Sequence, residues 1–116
     1  MELQVSLDRT TGVVRAVMPD NPTAENTREL FSRMEVLLKT VPRRLVLMVL
    51  SNSKPPNKDV RDVIAREAPA FEKLAFVGAT APMRVIGKMI TTLIGKSKNT
   101  RFIATEEEAM AWFAKE

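Results

Sequence analysis

The sequence predicts an α/β fold: a mixed five-stranded sheet with an N-terminal hairpin, its elements in the order ββαβαβαβα. Three observations predict it. First, Leu45-Val46-Leu47-Met48-Val49-Leu50 is an unbroken apolar run. It is short for a helix, and it lacks the alternation of a strand that faces water, so it reads as a central strand covered on both sides. Second, short apolar segments alternate with stretches of helical periodicity through the rest of the chain. That pattern implies parallel crossover units, which are almost always right-handed. Third, Leu3, Val5 and Leu7 alternate with polar neighbours before Asp8-Arg9-Thr10-Thr11-Gly12 and the returning run Val13–Val17, the pattern of a half-buried edge hairpin.

The helices follow in order. Asp20 or Asn21 can cap a first helix, with Pro22 in its first turn. Leu30, Phe31, Met34, Leu37, Leu38 and Val41 then share one face, and Pro42 ends it. After the central strand, Asn57 can cap a second helix reaching to about Ala68, with Val60, Val63 and Ile64 facing inward and Pro69 as its stop. Leu74–Val77 is a further strand, ending at Gly78. Thr80-Ala81-Pro82 opens a third helix with a wide apolar stripe from Met83 to Ile94, and Gly95 closes it. Arg101–Ala104 is the last strand. Thr105-Glu106-Glu107-Glu108 is a capping box whose acids also complement the helix dipole, and Ala109, Trp112 and Phe113 form the apolar face of a terminal helix.

At 116 residues, with 45% hydrophobic and 28% charged content, the chain reads as one domain, residues 1–116, large enough to bury a core. It contains no cysteine, histidine or tyrosine. Disulfides, thiolate metal sites and every serine–histidine or cysteine–histidine mechanism are therefore excluded. No catalytic residues, metal ligands or cofactor are assigned. No apolar run approaches the length of a membrane span. The first residues lack the basic and apolar regions of a signal peptide, so cytoplasmic residence is expected.

The net charge is +4, and it is unevenly placed. Between Ala81 and Ala104 lie Arg84, Lys88, Lys96, Lys98 and Arg101 with no acid, while the remainder holds 13 basic and 14 acidic residues. These five cations are the candidate anion-binding residues, for nucleic acid or an acidic lipid surface. The plainer reading is the solvated side of one helix and a turn. The segment has no interleaved aromatics and no nucleic-acid motif, so nucleic acid is disfavoured. Gly78-Ala79-Thr80-Ala81 lacks the spacing of a phosphate loop and reads as a tight turn. Asp59 and Asp62 read as solvated surface.

The third-helix stripe has two readings as well. Packed against the sheet, it is ordinary core. It is nevertheless wider than one sheet contact requires, and methionine adapts to varied partners. Met83, Ile86, Met89 and Ile90 are therefore the candidate contacts for a small apolar ligand or a protein partner. Helices confined to one sheet face would leave the other side of Leu45–Leu50 bare, and a homodimer is expected to cover it.

The C-terminal third carries a family resemblance. KLAFVGATAPMRVIGKMITTLIGK (73–96) leading into TRFIATEEEAMAWFAKE (100–116) gives a strand, an amphipathic helix, a short strand with Phe102, and an acid-rich cap before Ala109-x-x-Trp112. This resembles the SpoIIAA-like (STAS-like) family, which includes bacterial anti-sigma-factor antagonists, and the resemblance extends over nearly the whole chain. It implies a right-handed succession of β-α units and a regulatory or protein-binding role without catalysis. Phosphorylatable members of that family carry an Asp-Ser-Ser-Gly-like motif after the central strand. Here the corresponding loop is Ser51-Asn52-Ser53-Lys54-Pro55-Pro56, with no Asp before a Ser and no Gly after. Ser51 and Ser53 are the phosphoacceptor candidates the resemblance implies, set against a polar loop that satisfies its own backbone.

Overall fold

The computed structural model describes residues 3–50, 53–93, 95 and 99–115. Among them are five strands and four helices: β1 (Gln4–Asp8), β2 (Val13–Val17), α1 (Ala24–Leu38), β3 (Leu45–Val49), α2 (Lys58–Glu67), β4 (Lys73–Val77), α3 (Ala81–Leu93), β5 (Thr100–Ile103) and α4 (Glu106–Ala114). The expected order ββαβαβαβα is the observed one. The strands form one sheet in the order β1-β2-β3-β4-β5. β1 and β2 are antiparallel, and the other pairs are parallel.

The apolar hexad is the middle of this sheet. Leu45 through Leu50 are each between 2% and 8% exposed. In register, Val14, Val46 and Leu74 line up across β2, β3 and β4 on one face. They join residues of α1 and α2 and Met83 of α3 in the larger of two apolar clusters. Val13, Leu45, Leu47, Ala75 and Val77 point the other way and meet Ala109 and Phe113 of α4. Because the side-chain period of a strand is two, one five-residue strand supplies both cores. The second face is thus covered by α4 from the same chain, and the bare face that motivated a dimer does not exist.

Local chemistry explains the element ends. Asp8 accepts from the Thr10 and Thr11 amides at 2.9 and 3.3 Å, and Gly12 takes φ 77° to return the chain into β2. Asn57 accepts from the Val60 amide and starts α2, and Thr105 accepts from the Glu108 amide and starts α4. The start of α1 departs from expectation: its N-cap is Thr23, not Asp20 or Asn21. Thr23 and Asn26 cap each other reciprocally, the Thr23 hydroxyl accepting from the Asn26 amide at 3.1 Å and the Asn26 side chain from the Thr23 amide at 2.7 Å. The helix also stops at Leu38, before Pro42. Thr40 turns both its amide and its hydroxyl onto the Leu37 carbonyl and tightens the final turn.

Candidate functional site

Three helices cover one sheet face, but not evenly. α1 and α2 pack against one another, and α3 packs on α2. α3 meets the last strand through Gly87. A Cβ there would stand 2.7 Å from the Phe102 ring, so any other residue would have to displace the ring to keep this approach. Phe102 in turn stacks on Phe76 with ring centroids 5.1 Å apart. Alongside this contact, between α3, α2, α1 and the strands, lies an open-mouthed cavity of about 100 Å³.

The cavity wall is almost wholly apolar. The strands contribute Val46, Met48, Leu74, Phe76 and Phe102. α1 adds Phe31 and Met34, α2 adds Ile64, and α3 adds Met83, Ile86, Gly87 and Thr91. At its polar end, Ser53, Lys54 and Pro56 belong to the loop between β3 and α2. This is the loop beyond the carboxyl end of the central strand, where open α/β sheets characteristically bind ligands. Among the described residues of the wall, both hydroxyls are already committed. Ser53 Oγ donates to the Pro19 carbonyl at 2.8 Å, and Thr91 Oγ1 to the Gly87 carbonyl at 2.9 Å.

The structure divides the candidate ligand contacts. Met83 is buried and Ile86 half-buried, and both line the cavity. Met89 does not: it is 60% exposed on the outer side of α3, as is Val85. The Ile90 side chain lies outside the described residues. The wide stripe therefore serves two surfaces, one inward and one outward. Sequence reading did not find the contributions of α1, of α2 and of Phe71 and Phe102. Their apolar periodicity marks them as core, and a void left between core residues has no sequence signal.

The five cations are also divided. Arg84 and Lys88 are exposed, one turn apart on α3. Arg101 lies on the opposite face of the sheet, its guanidinium 5.3 Å from the Trp112 ring centroid on α4. Lys96 and Lys98 fall outside the described residues. What the described residues bring together on α3 is a pair, not a five-residue patch.

Of the phosphoacceptor candidates, Ser51 lies outside the described residues. Ser53 is 8% exposed with its proton given to Pro19, so a kinase would first have to free it. Thr80 accepts from the Met83 amide at 3.4 Å, in keeping with the tight-turn reading of the Gly78 loop. Among the described residues, no group of three or more acids is placed to hold a metal ion, and no helix is long and apolar enough to cross a membrane.

The shifted ionisations lie away from the cavity. Arg15 and Glu106 form a two-bond ion pair, Nε to Oε1 at 2.7 Å and Nη2 to Oε2 at 3.2 Å. The hydrogen bond from Arg15 holds the Glu106 carboxyl below its usual range against the opposing effect of burial. Arg44 does the same to Glu35, and Arg43 to Glu72. All three pairs join separate segments of the chain and read as structural. The sequence matches no family model and no curated protein.

Proposed function

We propose that this protein is a non-enzymatic binding or regulatory module of SpoIIAA-like (STAS-like) kind, which acts by holding a small apolar ligand beneath α3. One observation carries the reading: the apolar cavity between α3 and the sheet, lined at its polar end by the β3–α2 loop. Cores ordinarily close such voids, because each lost contact costs stability. An apolar cavity of comparable size, about 150 Å³, is enough to bind benzene in an engineered protein. The sequential strand order with three helices on one face supports the kinship. The lack of histidine, cysteine and tyrosine supports a role without catalysis.

Filling the cavity tests it. Ala68 lines the space at the end of α2. Ala68→Phe should abolish binding of the neutral dye N-phenyl-1-naphthylamine, followed by fluorescence, while the far-ultraviolet dichroism stays that of the parent. A parent protein that leaves the dye unbound and carries no apolar molecule in native mass spectrometry would remove the reading.

A second reading is favoured by the outer side of α3. There Val85 and Met89 are exposed beside Arg84 and Lys88, and the helix contains no acid. Apolar tips flanked by cations suit the surface of an anionic lipid bilayer. In this reading α3 docks on the membrane through the side that faces away from the cavity.

A further inference from the structure

We infer that the ligand of this cavity is an aliphatic chain ending in a carboxylate, with the Lys54 ammonium as the partner of its head group. This rests on reading the cavity as a ligand site, and it adds the chemistry of what enters. Lys54 is the one charged residue among the described residues of the wall. It sits at the polar end, is exposed, and has no carboxylate within ion-pair distance among the described residues. The other side-chain donors of the wall, Ser53 and Thr91, have spent their protons on backbone carbonyls. The Lys54 amide is engaged by the Asp20 carbonyl at 2.9 Å. Among the described side chains of the wall, a ligand is thus offered a single free donor, and it is cationic. A neutral apolar molecule would leave that donor to water, whereas a carboxylate would accept from it.

The shape of the wall sets the rest of the molecule. It runs beside β3 from Val46 and Leu74 at one end to Leu50 and Lys54 at the other. At about 3.3 Å per residue, Val46 to Leu50 spans roughly 13 Å, the reach of an alkyl chain of about ten carbons. Apolar walls along its length and one cation at its polar end describe a medium-chain fatty acid with its carboxylate free.

Three ligands of equal chain length separate the possibilities: decanoate, decan-1-ol and decyltrimethylammonium, each displacing N-phenyl-1-naphthylamine from the full chain. Decanoate should bind best and the ammonium worst. Lys54→Met should weaken decanoate roughly five- to tenfold, as loss of one charge-assisted contact at a hydrated mouth does, and leave decan-1-ol within about twofold. Lys54→Glu should invert the order of decanoate and the ammonium. Equal affinity for decanoate and decan-1-ol, or equal weakening of both by Lys54→Met, overturns the head-group assignment and leaves the ligand site standing. Failure of all three to displace the dye, or of the dye to bind, overturns both. Decanoyl-glycerol in place of decanoate keeps the chain and removes the charge, and should bind like decan-1-ol, without dependence on Lys54. Binding that survives esterification yet still depends on Lys54 would mean that the charge is not what Lys54 reads, and would overturn the assignment too.

Discussion

Arg15 and Glu106 are 91 residues apart in the chain and share two hydrogen bonds. Their pair ties β2 to the first turn of α4. Both side chains remain well exposed, 38% and 44%, so solvent screens them and the pair is worth up to about 1 kcal/mol. The sign of its pH dependence follows from the lowered Glu106 carboxyl. Above the ordinary glutamate value of 4.5, folded and unfolded chains are both ionised and the contribution is whole. As the pH falls below that value the unfolded chain takes up its proton first, and the contribution is gone once the folded carboxyl is protonated as well. Glu106→Gln should therefore lower the thermal midpoint at pH 7, and the gap from the parent should close between pH 4.5 and the depressed folded value. Unfolding curves from pH 7 downward check this; a gap that does not narrow as the pH falls below 4.5 would assign the effect to packing. Sequence alone could explain Glu106 only by the helix dipole, because no local pattern reveals a partner on another element.

At the scale of elements, α3 stands out. Its residues are apolar on more than one side, and the periodicity that marks a helix says nothing of how closely it will seat. Seating depends on Gly87, whose missing side chain admits the Phe102 ring. Replacing it by alanine gains about 1 kcal/mol of helix propensity, and pushes the ring off its place against Phe76. Gly87→Ala is accordingly expected to shift stability by less than about 1 kcal/mol in either direction, since the two effects oppose. Dye affinity should nevertheless fall several-fold as the ring enters the cavity. Thermal unfolding and a dye titration on one preparation would measure both, and unchanged affinity would show that α3 retreats instead. The other elements were legible for plain reasons. β3 is apolar without interruption, Asn57 and Thr105 are caps of the preferred type, and Gly12 sits where a hairpin turn needs positive φ. The start of α1 was harder, because Asp20, Asn21 and Thr23 are all competent caps and only the reciprocal Asn26 bond selects among them.

For the whole molecule, the sheet order could be anticipated because sequential β-α units have few ways to stack. Which helices lie on which face could not, since an apolar face does not specify which side of the sheet it meets. α4 crosses to the second face and covers Leu45 and Leu47, so a reading that assigned this cover to a second copy misplaced it. Charge shows the same limit. Counting placed five cations in one segment, while folding sends Arg101 to the side of α4 and keeps Arg84 and Lys88 on α3. If α3 docks on anionic bilayers, Arg84→Glu with Lys88→Glu should abolish co-sedimentation with phosphatidylserine vesicles. Arg101→Glu should leave most of it, and salt should weaken the parent's binding steeply. Equal loss in both variants would point to net charge rather than to this helix.

The sequence contains a single tryptophan, and Trp112 sits between the Lys73 ammonium at 5.1 Å and the Arg101 guanidinium on the side of the sheet away from the cavity. Its indole emission is placed to register the seating of the terminal helix, and an occupant of the space under α3 does not touch it. With a ligand that does not absorb, such as decanoate, the indole therefore reports on one half of the sheet while the other is filled.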